Sequence, residues 1–220
     1  MKVYPFSDFP PHLDDLNGEL AVRLKKTYLN ASLFSNDAAF DWMYPEHFQL
    51  LSLKHWTPLA IVRKAAEFLA EPDARVLDIG SGIGKFCLAA SYYFPETFFY
   101  GVEQRHELIH HAEEAKGYTQ LSNVNFIYAN ITQVNFKEFD HFYFYNSFYE
   151  NIDPDNQIDD TIEMSESLYT YYTKYLFKAL DQKTSGTRLV TFHISGEEVP
   201  SSYKLAGIAF NGLMKMWIKA

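Results

Sequence analysis

Apolar and polar positions along this chain follow two different periods, and the change from one to the other divides it. Leu20, Leu24 and Tyr28 fall at helical spacing within a candidate helix from Leu16 to Leu29. A ring-rich connection follows, containing Phe34, Phe40, Trp42, Tyr44 and Phe48. The run from Thr57, TPLAIVRKAAEFLAE, predicts a helix. The Thr57 hydroxyl can cap its first turn, Pro58 suits a position that needs no N–H donor, and Leu59, Val62, Ala66 and Leu69 form one apolar stripe.

From residue 75 short β runs alternate with helices. Strands are predicted over Arg75–Ile79, Thr97–Glu103, Val124–Tyr128, His141–Tyr145 and Thr187–Ile194. The helices between them are predicted over Lys85–Phe94, His106–Lys116 and Thr161–Asp181. Two last β runs, Lys204–Phe210 and Leu213–Ile218, flank Asn211-Gly212, a pair suited to the positive φ angles of a type I′ hairpin turn. Alternation implies a doubly wound α/β fold with a mostly parallel sheet, closed by an antiparallel hairpin and preceded by a helical cap. Dinucleotide-binding dehydrogenases do not ordinarily end in such a hairpin. The organisation expected is a cap segment over 1–56 and an α/β domain over 57–220, packed as one unit.

Composition narrows the class. The chain has 220 residues, 47% apolar, enough for a sizeable single core. Nineteen basic against 28 acidic residues leave a formal charge of −9, which disfavours nucleic acid as a partner. Cys87 is the one cysteine, so an intrachain disulfide is excluded. No stretch has the length of a bilayer span and the N-terminus lacks a signal-peptide core, so a cytoplasmic protein is expected.

The candidate chemistry sits in Val76-Leu77-Asp78-Ile79-Gly80-Ser81-Gly82-Ile83-Gly84. A strand delivers an acid to its end, glycines permit a tight turn, and a helix N-terminus follows. The dinucleotide fingerprint G-x-G-x-x-G/A needs Gly or Ala at 85, where this chain has Lys. The segment instead resembles the Asp-x-Gly-x-Gly-x-Gly motif of class I S-adenosylmethionine-dependent methyltransferases, whose sixth and seventh strands the terminal hairpin matches. That resemblance implies a Rossmann-like seven-stranded sheet and S-adenosyl-L-methionine as cofactor. It places Asp78, Gly80, Ser81, Gly82 and Gly84 around the amino-acid part of the cofactor, with Glu103 on the ribose hydroxyls. It also places Asn130 and Ile131 near the adenine, Asn130 standing where the family usually has Asp. The same resemblance implies that Asn146, at the end of the fourth strand, binds near the cofactor and faces its reactive methyl. Thr57-Pro58 is similar to a Thr-Pro helix start before the cofactor strand in several methyltransferases, which implies Thr57 as a further cofactor-binding residue, and an ordinary helix N-terminus explains it equally well.

The segment Asn146-Ser147-Phe148-Tyr149 is similar to the Asn-Pro-Pro-Tyr motif of amino-group methyltransferases, with both prolines replaced. The acceptor therefore stays open between a protein lysine and a small molecule, and between N and O nucleophiles. Candidate catalytic residues are Asn146, Tyr149 and Glu150, and His193 is a further candidate base. The rings of Phe148, Tyr149, Trp42 and Trp56 are suited either to shield a cation or to fill the core. Acidic residues Asp153, Asp155, Asp159 and Asp160 form either a solvated loop or an attraction for a basic acceptor.

Two other readings compete. An intact cofactor loop is compatible with a protein that binds S-adenosylmethionine without turnover. His106-Glu107-Leu108-Ile109-His110 matches the H-E-x-x-H helix of zinc proteases. Against that match, Leu108, Ile109, Ala112 and Ala115 form the apolar face and turn both histidines away from it. Position 113, Gly in one protease class, is Glu, and no metal is expected. Cys87 is expected to pack rather than react.

Overall fold

The computed structural model describes residues 30–194, 196 and 198–220; the candidate helix from Leu16 to Leu29 lies outside them. Seven strands form one sheet: β1 (Arg75–Ile79), β2 (Phe98–Glu103), β3 (Val124–Tyr128), β4 (His141–Phe144), β5 (Arg188–Phe192), β6 (Tyr203–Ala209) and β7 (Met214–Lys219). Their spatial order is β3-β2-β1-β4-β5-β7-β6. The first five run parallel, and β7 enters antiparallel between β5 and β6. The expected sheet and its closing hairpin are both present. Asn211 and Gly212 occupy the turn at φ 55° and 90°, closed by the Leu213 N–H on the Phe210 carbonyl at 3.1 Å.

The described α-helices include α1 (Asp37–Asp41), α2 (Glu46–His55), α3 (Leu59–Leu69), α4 (Lys85–Tyr93), α5 (His106–Thr119) and α6 (Glu166–Asp181). Alternating strand residues feed two cores, as a period of two requires. Val76, Phe99, Tyr143 and Val190 pack with α3, α4 and α5 on one face. Leu77, Val102, Phe142 and Leu189 pack with Leu176 and Leu180 of α6 on the other.

Three local expectations are corrected. The ring-rich stretch after Phe34 is not a plain connection but two helices, α1 and α2, and Phe40 of α1, Tyr44 of the turn between them and Phe48 of α2 join the same core as α3 and α4. Aromatic burial drives that arrangement, and it carries the hydrophobic core across residue 57 without a break. Thr57 does not cap α3. Pro58 occupies the cap position, and the Leu59 N–H is satisfied from a distance by Asp37 Oδ1 at 2.9 Å. Helix α6 starts at Glu166 rather than Thr161, because the Ser165 hydroxyl caps it by accepting the Leu168 N–H. The preceding residues fold into 3₁₀ turns at Tyr149–Asn151 and Pro154–Asn156.

Candidate active site

Strand order reverses between β1 and β4, each flanked by crossovers on opposite faces, and a crevice must open at their carboxyl ends. A cleft of about 460 Å³ lies there. Its floor is the loop after β1 together with Glu103, and its far side is built from Asn146 to Ile158.

The glycine loop is shaped first by the protein itself. Gly80, Gly82 and Gly84 all take positive φ. A Cβ on Gly80 would collide with Ser147, whose hydroxyl donates to the Ile79 carbonyl at 2.5 Å. A Cβ on Gly82 would lie 2.5 Å from the Trp56 ring, so the loop and α2 approach closely because no side chain intervenes. Gly84 does not line the cleft; its missing side chain admits Phe126 and starts α4.

One feature of the floor calls for a ligand. Asp78 is buried, accepts only a long contact from the Cys87 thiol at 3.7 Å, and forms no ion pair among the described residues. Burial pushes its carboxyl up to about 8; the Cys87 thiol opposes the rise, and the nearby Glu103 charge adds to it. The buried Ser81 hydroxyl has no hydrogen-bond partner among the described residues and packs against Gly101, where a Cβ would lie 2.6 Å from it. A buried acid with no cation among the described residues suits a ligand that carries an ammonium group, such as the amino-acid end of S-adenosylmethionine.

Glu103 closes β2 and is held rigidly. Its Oε1 accepts the Gln104 and Arg105 N–H groups at 2.8 and 2.9 Å, and its Oε2 accepts the Gly82 N–H at 3.2 Å. Burial still raises its carboxyl above the ordinary range, although Arg105 and those backbone donors work against it.

Two charged residues that sequence reasoning passed over organise the walls. Lys85, only 2% exposed, places Nζ 2.7 Å from Asp41 and 2.8 Å from Asp37 and donates to Ser52 at 3.2 Å. The lysine that breaks the dinucleotide fingerprint thus ties α1 and α2 onto the glycine loop. Arg105, 5% exposed, pairs with Glu150 at 2.7 Å and Asp159 at 3.1 Å, and stands 3.8 Å from Glu103. Burial works against its charge, and the three carboxylates, Glu150 foremost, more than offset that. In sequence the only hint was an arginine at a strand end facing an acidic segment far along the chain.

The remaining candidates divide. Asn146 lies at φ 41° on the cleft, and its side-chain amide makes no hydrogen bond among the described residues. Tyr149 and His193 line the cleft from exposed positions, and Phe148 lines it from a buried one. Glu150 also lines it, but Arg105 and the Ile158 N–H at 2.9 Å occupy its carboxylate, which conflicts with duty as a free base. Asn130 is committed too: it accepts from Thr132 and donates to Gln104 and Tyr172 at 2.8 Å each. Ile131 lines the cleft beside it. Thr57 faces the cleft with its hydroxyl 3.1 Å from that of Tyr143. Trp56 borders the cleft, whereas Trp42 is 60% exposed and stands away from it. His55 is an addition: it lines the cleft without a hydrogen bond among the described residues, and burial, then the Lys54 and Arg105 charges, lower its pKa.

The H-E-x-x-H helix is α5, with Leu108, Ile109, Ala112 and Ala115 buried as its pattern predicts. His106 packs edge-on against Tyr128, while His110 and His111 both lean on Glu114, at 3.4 and 2.8 Å. The two motif histidines face solvent, not the cleft.

Comparison with known proteins fits this geometry. Two tRNA (guanine-N(7)-)-methyltransferases of Synechococcus sp., strains JA-3-3Ab and JA-2-3B'a(2-13), are 44% and 42% identical over 55 residues. Those residues make up 25% of this chain and 23% of each relative, so the match spans about a quarter of the curated relatives' length. Among solved structures, TrmN from Thermus thermophilus shares the fold at TM-score 0.53 and 19% identity, covering 76% of this chain and 50% of that one. An RNA methyltransferase from Salinibacter ruber, in complex with S-adenosyl-L-homocysteine, aligns at TM-score 0.50 and 18% identity over 74% of this chain and 91% of that one. The family model described as a methyltransferase domain matches residues 70–189. That match covers more than half of the chain, including the loop after β1 and the ends of β2 and β4, and it makes this protein a member of the class I S-adenosylmethionine-dependent methyltransferases.

Proposed function

We propose that the protein transfers the methyl group of S-adenosyl-L-methionine to a nitrogen or oxygen nucleophile of a small molecule or a protein side chain. The observation that carries this reading is Asp78, a buried acid with no cation among the described residues, at the switch point of the sheet. In this reading Asp78, Gly80, Ser81 and Gly82 hold the amino-acid end, Glu103 the ribose, and Ile131 and the Asn130 backbone region the adenine. Thr57 and Gly84 act indirectly, by fixing Tyr143 and the start of α4. The cofactor supplies an electrophilic methyl on a sulfonium, a good leaving group, so the chain's main task is alignment.

Asn146 has the free amide needed to orient an acceptor. Tyr149, His193 and His55 are the side chains placed to take a proton if the nucleophile starts protonated. Glu150 serves as a wall residue. The acidic segment also loses much of its pull on a basic acceptor, because Glu150 and Asp159 face Arg105 and Asp153 accepts from Asn156 at 2.6 Å.

A second reading, methylation of tRNA, is favoured by the two Synechococcus relatives and opposed by the net charge of −9. Calorimetric titration with S-adenosylmethionine and S-adenosylhomocysteine tests the cofactor: one saturable equivalent, insensitive to chelator, is expected, and no binding refutes the proposal. Transfer of labelled methyl to bulk tRNA but not to peptides or metabolite pools would establish the second reading. Binding without turnover on any acceptor class would leave a cofactor-binding protein.

A further inference from the structure

We propose that Arg105 is a positioning residue joining the two halves of the cleft, so that filling the ribose side tightens the acceptor wall at residues 149–159. The inference rests on the reading that Glu103 receives the ribose. Arg105 follows β2 by two residues, yet its guanidinium is buried among carboxylates from three places: Glu103 on the cofactor side, Glu150 in the first 3₁₀ turn after β4, and Asp159 beyond the second. Glu150 in turn holds the Ile158 N–H at 2.9 Å, and Asp159 holds the Thr161 N–H at 3.0 Å. One cation therefore fastens both ends of a segment of short turns, whose middle is tied by Lys54 Nζ donating to Asn156 at 3.0 Å.

The direction of the coupling follows from charge. Three carboxylates compete for one guanidinium, and Glu150 and Glu103 are both raised by burial despite it. Hydroxyl donors reaching Glu103 would satisfy that carboxylate without a cation and leave Arg105 more fully to Glu150 and Asp159. Excluding water from the cleft strengthens those two pairs further. Coupling of this kind is reciprocal, so loosening the wall must weaken the cofactor by the same factor.

The test uses S-adenosylhomocysteine, hydrogen exchange over residues 149–161, and calorimetry. In the wild-type protein, saturating ligand should slow exchange across this segment. In the double variant Glu150→Gln/Asp159→Asn, which leaves Glu103 untouched, that slowing should vanish and affinity should fall about five-fold or more. Asp159→Asn alone, at the more exposed end of the network, should show the same trend in smaller degree and guards against a double variant that misfolds. Ligand that binds wild type without changing exchange at 149–161 overturns the coupling while sparing the cofactor reading. Variants that keep both the slowing and the affinity overturn it equally. Absence of any binding to wild type overturns both.

Discussion

Asp78 makes cofactor affinity depend on pH in a calculable way. Its carboxyl is pushed up to about 8 by burial, so near neutrality the ligand-free protein holds it mostly protonated. A ligand ammonium can pair only with the ionised form, and apparent affinity then scales with the ionised fraction. That fraction is about one in a hundred at pH 6, about one in ten at pH 7 and about one half at pH 8, from the definition of pKa. S-adenosylhomocysteine should therefore bind about 50-fold more tightly at pH 8 than at pH 6, or about 2.3 kcal/mol at 1.36 kcal/mol per unit. Binding at pH 7 should release about 0.9 proton, read as a heat that changes with the ionisation enthalpy of the buffer. Asp78→Asn should flatten most of the slope, whatever it does to absolute affinity. The linked stability has a definite sign. The folded pKa lies above the unfolded value of about 3.9, so the ligand-free protein binds more protons folded than unfolded in that window. Asp78 thus lowers stability as pH rises from about 4 through about 8, and the thermal shift given by saturating ligand should grow over the same range. An affinity flat between pH 6 and 8, with no buffer-dependent heat, would refute the assignment of Asp78 as the ammonium partner.

Three further outcomes are expected. Lys85→Met leaves the buried Asp41 without its cation and should cost about 3 kcal/mol in chemical denaturation, and a loss below about 1 kcal/mol would show that the cluster does not anchor α1 and α2. Gly82→Ala must accept a left-handed backbone, at about 1–2 kcal/mol, and push the Trp56 ring aside, so S-adenosylhomocysteine affinity should fall about ten-fold. Unchanged affinity there would mean that the loop adapts freely. His110→Ala should shift stability by no more than about 0.5 kcal/mol and leave cofactor binding as it was, since the side chain is 60% exposed on α5. A chelator-sensitive activity lost in that variant would revive the metal reading of the motif.

The parts of this fold legible in the sequence are those whose signals are local. Strand β3 has the bounds its β run predicts, and the Asn211-Gly212 turn forms where two positive φ angles were required. Helices α1 and α2 were not legible. Helix α1 is five residues long, capped by Asn36, and α2 has few buried side chains of its own. Both are held by tertiary burial of Phe40, Tyr44 and Phe48, which no periodicity within the stretch reports. Thr57 shows the converse: a good cap residue in sequence, displaced because Asp37 reaches the free N–H from twenty-two positions away.

The site divides along the same line. Asp78 was found because it stands at the end of a strand run just before a glycine loop, a pattern visible within a few residues, and the resemblance which that loop carries extends to Glu103 at the end of the next strand. Lys85 and Arg105 were missed because their partners lie 44, 45 and 54 positions away and meet them only through the crossovers of the sheet. The same distance explains the acidic run after Tyr149. As a string of like charges it suggests either solvation or attraction to a basic acceptor, yet the counterion for its Glu150 and Asp159 arrives from the end of β2. Counting charges in a sequence says which groups can ionise, whereas only the topology says which of them are left uncompensated. In this cleft Glu103 and Glu150 have Arg105, and Asp41 has Lys85. Asp78 alone among the buried carboxylates of the described residues has no cation, and that deficit is what a ligand carrying an ammonium group would relieve.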